Sequence, residues 1–150
     1  RLFQEIREKR GLVYGISSFS TSYTDTGVFG IYAGTGDKEI KELIPVLCDE
    51  LRNSPNSISE KEINRGKAQL KTSLMMGRES AFRRCESAAR QLLVFNRVID
   101  PNEIIDEINS VSKNSVEKIA NYILSKPITI SSIGPIKNLE TLEKIQSRLN

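Results

Sequence analysis

The stretch that decides the fold is "REKRGLVYGISSFSTSYTDTGVFGIYAGTGD", residues 7–37. A charged helical segment ends near Arg10, and Gly11 fits the C′ position, where a left-handed backbone is needed. Two segments rich in aromatic and β-branched residues follow, at Leu12–Tyr23 and Val28–Thr35. The short polar turn between them predicts an antiparallel β-hairpin.

The two residues of interest in this stretch are Arg7 and Tyr14. From residue type alone, Arg7 is a helix-end cation favoured by the helix dipole. Tyr14 is a half-buried strand aromatic that shares a strand face with Leu12 and Ile16.

Helical periodicity dominates the remainder of the chain. Apolar residues recur at helical spacing after Asp37, after the capping box Ser59–Glu62, after Asp100 and after Ser112. The pattern also predicts a loop at 53–57, a bend or break at Gly77, a buried face between Phe82 and Phe95, a third strand at Pro127–Ile133 and a last helix.

These elements predict a single α+β domain over residues 1–150, with an antiparallel or mixed sheet and helices packed on one of its faces. The chain begins inside a helical pattern, with Leu2, Phe3 and Ile6 on one face and no N-cap residue before them. Three strands are few for so many helices. We therefore expect a domain that lacks its first strands, with at least one more strand before Arg1.

Composition excludes several classes of function. The 150 residues include no histidine, which rules out Ser-His-Asp and Cys-His nucleophile systems and the paired-histidine zinc motifs within this chain. No segment approaches the roughly 20 apolar residues that cross a membrane. Cys48 and Cys85 cannot make a zinc site by themselves and read as small buried hydrophobic residues, although a disulfide between them stays open.

Nucleic acid is not an expected partner. The net charge is only +3. The basic residues between Lys61 and Arg90 have no aromatic residues interleaved with them, as a stacking platform for single strands would require. They are typical of the solvated face of long helices.

The sequence resembles the C-terminal half of the pitrilysin family of zinc peptidases, in the branch of the mitochondrial processing peptidases and their bacterial relatives. The resemblance rests on three segments: "RLFQEIREKRGLVYGISSFSTSYTDTGVFGIYAG" (1–34), "ARQLLVFNRVIDPNEIIDEINSVSKNSVEKIANYIL" (89–124) and "ITISSIGP" (128–135). Together they cover most of the chain in the family's order.

The resemblance implies a two-domain peptidase whose halves enclose a peptide chamber. In the family, the N-terminal half carries zinc on an inverted H-x-x-E-H motif, so zinc belongs to the intact protein and no ligand lies in this fragment. The second half contributes an arginine and a tyrosine spaced seven residues apart. Here they are Arg7 and Tyr14, expected to reach across the chamber to the substrate.

The implied function is the C-terminal substrate-binding domain of a zinc-dependent endopeptidase that hydrolyses peptides or presequences, with this fragment inactive alone. Expected partners are the peptide substrate, the protein's own N-terminal zinc domain, and a second subunit in a homodimer or heterodimer. The bacterial cytoplasm or periplasm, or the mitochondrial matrix, is the expected compartment. The alternative is a non-catalytic scaffold subunit of the same fold, such as the processing peptidase's partner or a respiratory-complex core subunit.

Overall fold

The computed structural model describes residues 1–149. They form two compact units, one made of Arg1–Ser57 with 118–149 and the other of Ile58–Glu117. Within the described residues there are seven helices and a two-stranded antiparallel sheet. The predicted α+β class is confirmed.

The first unit opens with a short π-helix at Phe3–Glu8. The chain then turns at Gly11, whose φ of +64° confirms the predicted left-handed position. Strand β1 (Gly15–Ser22) pairs with β2 (Gly27–Gly34) in an antiparallel hairpin. The hairpin was predicted, but β1 begins three residues later than expected.

The late start of β1 changes what Leu12, Val13 and Tyr14 do. These residues lie outside the alternation of the strand, so Leu12 and Val13 are both buried while the Tyr14 side chain is 81% exposed. The prediction that Tyr14 shares a strand face with Leu12 and Ile16 is therefore wrong. The physical reason is that the backbone is still leaving the left-handed turn here, where period-two alternation does not apply.

Helix α1 (Ile40–Ser57) packs on one face of the hairpin through an apolar cluster. Its buried members are Ile6, Leu12, Val13, Ile16 and Leu43. The helix runs through the segment predicted as a loop at 53–57, so that prediction is wrong. Pro55 lacks the N–H that would bond the Leu51 carbonyl, but the Ser54 hydroxyl donates to that carbonyl at 2.8 Å instead.

A second apolar cluster joins α1 to helix α6 (Leu142–Leu149), with Cys48, Ile145 and Leu149 buried. The predicted strand Pro127–Ile133 is wrong, because residues 127–133 join no sheet among the described residues. Ile128 instead packs against this cluster. Its backbone N–H donates to the Gln146 side-chain oxygen at 2.9 Å, so a side chain takes the place of a neighbouring strand.

The second unit is built from helices α2 (Glu60–Glu79), α3 (Ala81–Phe95) and α4 (Pro101–Ser110), followed by the first turns of α5 (Lys113–Leu124). The capping box at Ser59 is confirmed, and Asp100 caps α4 as predicted. The predicted break in this helical region lies at Ser80, between α2 and α3, rather than at Gly77. The Ser80 backbone is extended, and its side chain accepts a hydrogen bond from the Arg83 N–H at the start of α3.

The predicted buried face of α3 is wrong. No residue of this helix is buried, and Phe82 and Leu93 are 77% and 87% exposed. Cys48 is buried as predicted, and burial raises the pKa of its thiol. Cys85 is exposed, contrary to prediction, and both cysteines are free thiols, so no disulfide joins them.

Gly11→Ala should destabilise the intact protein by about 1 kcal/mol, because a side chain at a left-handed φ is strained. The matched control is Gly15→Ala, where the added Cβ meets nothing and φ is ordinary. Urea unfolding of both variants measures the difference. Equal midpoints for the two variants would contradict the role of the turn.

Glu140→Gln should make the free energy of unfolding depend less on pH between 4.5 and about 2. Hydrogen bonds from Arg148 and Lys144 lower the pKa of the Glu140 carboxyl from 4.5 to about 2. A carboxyl with a lowered folded-state pKa stabilises the fold above pH 4.5, and this contribution is lost as the pH falls towards about 2. We expect a loss on the order of 1 kcal/mol, discounted because water screens the partly exposed cations.

The measurement is the urea midpoint of the intact protein between pH 6 and pH 2, about the range of the Glu140 titration. Glu79→Gln is the control, because the Glu79 side chain makes no hydrogen bond or ion pair within residues 1–149. A Glu140→Gln profile that parallels the wild type would show that this ion-pair network does not stabilise the fold.

Candidate functional site

The turn at Gly11 brings Arg7 and Tyr14 into contact. The Arg7 side-chain Nε donates a hydrogen bond of 2.9 Å to the backbone carbonyl of Tyr14. Tyr14 is itself held to the hairpin, because its N–H donates to the Gly34 carbonyl at 2.7 Å. The guanidinium is thus anchored to the start of the sheet, although it belongs to the helix before it.

A second contact holds the other side of the arginine. The Arg7 guanidinium carbon lies 4.9 Å from the centre of the Phe3 ring, a cation–π distance. Phe3 was not singled out as a site residue by the sequence reasoning. Its signal was the four-residue spacing to Arg7 on one helix, which places two side chains close together.

These contacts leave part of the arginine available. Within the described residues, neither Nη group of Arg7 has a hydrogen-bond acceptor or an ion-pair partner. An arginine offers a planar fork of donors that suits carbonyl and carboxylate oxygens. Arg7 is therefore an oriented donor rather than a freely rotating surface cation.

Tyr14 presents its ring and hydroxyl to the outside, with 81% of the residue exposed. It borders a shallow depression of about 100 Å³ whose other lining residues include Gly11, Gly36 and Glu39. The Tyr14 hydroxyl lies 3.9 Å from the position that a Cβ on Gly36 would occupy. The Glu39 carboxylate lies close enough to that position to clash with such a Cβ. The absence of a side chain at Gly36 keeps this depression open.

The description of Tyr14 as a half-buried strand aromatic is wrong, because the residue precedes the strand and is exposed. Glu39 was also missed by the sequence reasoning. Its only signal was its position just before α1, three residues after Gly36. The site can donate hydrogen bonds from a phenol and a guanidinium, and the Glu39 carboxylate lies near the phenol.

The residues described here do not fit a zinc ion. In residues 1–149 no group of three His, Cys, Asp or Glu side chains is placed to hold a metal, and the sequence has no histidine. The helices in the described part of the chain also include none that is long and apolar enough to span a bilayer.

Comparison with known proteins gives one consistent result. Residues 1–70 match the family model described as "Peptidase M16 inactive domain". An uncharacterised zinc protease of Rickettsia felis is 36% identical over 135 residues, which are 90% of this chain and 33% of that protein. The β subunit of the human mitochondrial-processing peptidase is 30% identical over 139 residues, 92% of this chain and 28% of the subunit.

Among solved structures, a chain in complex III2 from Candida albicans, bound to Inz-5, superposes with a TM-score of 0.86 at 25% identity. The match covers 96% of this chain and 35% of that one. The chain thus spans about a third of the length of the curated relatives it matches. The predicted likeness to processing-peptidase-type zinc proteases is confirmed: residues 1–70 match the inactive domain of the M16 peptidases, and about nine tenths of the chain is similar to the zinc protease and the processing-peptidase subunit.

Proposed function

We propose that this chain is the substrate-binding C-terminal domain of a zinc-dependent endopeptidase, and that Arg7 and Tyr14 contact the peptide. The observation that carries the proposal is the 2.9 Å bond from Arg7 Nε to the Tyr14 carbonyl. It uses only the Nε donor of the guanidinium and the backbone of the tyrosine. The Nη groups and the phenol hydroxyl therefore remain for a ligand.

The two donors suit different parts of a peptide. The Arg7 fork can hold a backbone carbonyl or a carboxylate of the substrate, which contributes to binding and register. The Tyr14 hydroxyl can donate to the scissile carbonyl oxygen as negative charge develops there. Because no zinc site fits the described residues of this chain, the metal of the intact enzyme would be held by its N-terminal half.

The intact protein would then have three kinds of partner: the peptide or presequence, its own zinc-binding half, and a second subunit in a homodimer or heterodimer. Relatives from bacteria and from mitochondria support the bacterial cytoplasm or periplasm, or the mitochondrial matrix, as the compartment. The fragment by itself would not hydrolyse peptides, because half of the catalytic machinery lies outside it.

A second candidate function is a non-catalytic scaffold subunit of the same fold. The likeness to a chain of complex III2 favours it. The two candidates differ in the remainder of the protein: a peptidase requires the H-x-x-E-H motif and one tightly held zinc per intact chain. Metal analysis of the intact protein would decide between them.

Tyr14→Phe in the intact protein should lower kcat about 10²-fold, the scale for losing one donor to a developing oxyanion. The change keeps the backbone carbonyl that anchors Arg7, so Arg7 stays in place. Tyr23→Phe is the control, because it removes the hydroxyl of another exposed tyrosine next to the same hairpin. Peptide kinetics at wild-type level in Tyr14→Phe would remove the hydroxyl from the mechanism.

Arg7→Ala should mainly raise KM, by about tenfold if the fork binds ground state and transition state equally. Zinc content should not change, and thermal stability should fall by no more than about 1 kcal/mol, as for surface substitutions. Arg7→Lys keeps the charge but not the fork and should recover little of the lost binding. An unchanged KM in both variants would argue against substrate contact, and loss of folding would make Arg7 structural.

A further inference from the structure

The second unit contains a groove that the peptidase proposal does not use. It has a volume of about 230 Å³ and lies along α2, α3 and the segment that leads into α4. Apolar side chains, among them Leu74, Ile99 and Ile104, line it. Arg78, Arg83 and Arg84 line the same groove, and no aspartate or glutamate is among its lining residues.

The guanidinium groups of the three arginines are unpaired in the described part of the chain. Within residues 1–149, none of their guanidinium groups makes a hydrogen bond or an ion pair. Two other arginines of this unit are paired, and one of them, Arg90, bonds Glu86 at 3.0 Å. A fork–fork pair likewise joins Arg97 to Glu103. The groove therefore gathers three unpaired guanidinium groups, whereas the unpaired Arg65 lies outside it.

The position of two of these charges is unfavourable in the free protein. Arg83 and Arg84 lie in the first turn of α3, which has no acidic residue. The N-terminus of a helix is the positive end of its dipole, so cations there are destabilising and anions stabilising. A carboxylate from outside would relieve this repulsion and could bond an arginine through two parallel hydrogen bonds.

We propose that this groove binds an acidic peptide segment of a partner protein, one that pairs an apolar side chain with neighbouring aspartate or glutamate. The apolar lining takes the side chain, and the arginines take the carboxylates. The volume is below the roughly 300–1,000 Å³ of a pocket for a drug-sized ligand, which fits an anchor of one or two side chains. A free inorganic anion would use only the arginines and would leave the apolar surface wet.

The test is fluorescence anisotropy with the intact protein and a short labelled peptide that alternates leucine with aspartate and glutamate. Arg78→Gln combined with Arg84→Gln should weaken binding about tenfold or more. Lys61→Gln combined with Arg65→Gln is the matched control, because it removes two unpaired exposed charges from α2 outside the groove. Control binding should stay within about twofold of the wild type, as expected for peripheral charges.

The peptide series separates the two parts of the site. Replacing the acids by asparagine and glutamine, or the leucines by alanine, should each weaken binding. Equal binding by either altered peptide would overturn the proposal, and so would equal losses in the groove and control variants. Arg78→Lys with Arg84→Lys keeps the charge and should bind better than the glutamine pair, which guards against a folding artefact.

Three other outcomes also count against the proposal. Inorganic phosphate that displaces the peptide completely would indicate a simple anion site. Preferential binding of oligouridylate would indicate a nucleic-acid surface. Absence of peptide binding together with a lower melting temperature in the groove variant would mean that another part of the intact protein already fills the groove.

Discussion

The left-handed turn at Gly11 is the constraint on which the first unit depends. The π-helix ends at this turn and the chain reverses its direction immediately afterwards. Ile6, Leu12 and Val13 are therefore all buried in one cluster. The turn is tied to the sheet, since the Thr35 hydroxyl donates to the Leu12 carbonyl at 2.6 Å. The core and the proposed site share this single geometric requirement, because the residues on either side of the turn serve both.

The same turn separates the roles of neighbouring side chains. Leu12 and Val13 enter the core, and Tyr14 is directed outward although it immediately precedes β1. Arg7 then lies between the Phe3 ring and the Tyr14 backbone. The cation is thus oriented without using a buried side chain, because the anchoring groups are a backbone carbonyl and an exposed ring.

Polar side chains complete the backbone where regular structure would leave it unsatisfied. Ser54 supplies the donor that Pro55 lacks, and Gln146 accepts from a backbone N–H that has no strand beside it. Ser80 ends one helix and caps the next. At each place a side chain supplies the hydrogen bond that the regular backbone pattern lacks. The observed structure is stabilised in this way at segments for which the sequence predicted a different structure.

Local chemistry determined what the sequence by itself could predict: the left-handed glycine, the hairpin with its short turn, and the helix starts at Ser59 and Asp100. Each depends on atoms a few residues apart. Tertiary structure alone decided the rest. Residues 127–133 have the composition of a strand, but a strand needs a partner, and Gln146 from α6 bonds the backbone there.

The site shows the same division. The spacing of Arg7 and Tyr14, with the family resemblance, predicted the pair as site residues. Their contact with each other, and that of Arg7 with Phe3, depend on how the π-helix packs at the turn. The sequence pattern predicted the apolar face of α3. Whether that face is exposed depends on what packs against the helix. Periodicity reports which side chains share a face, and only packing decides whether that face is covered.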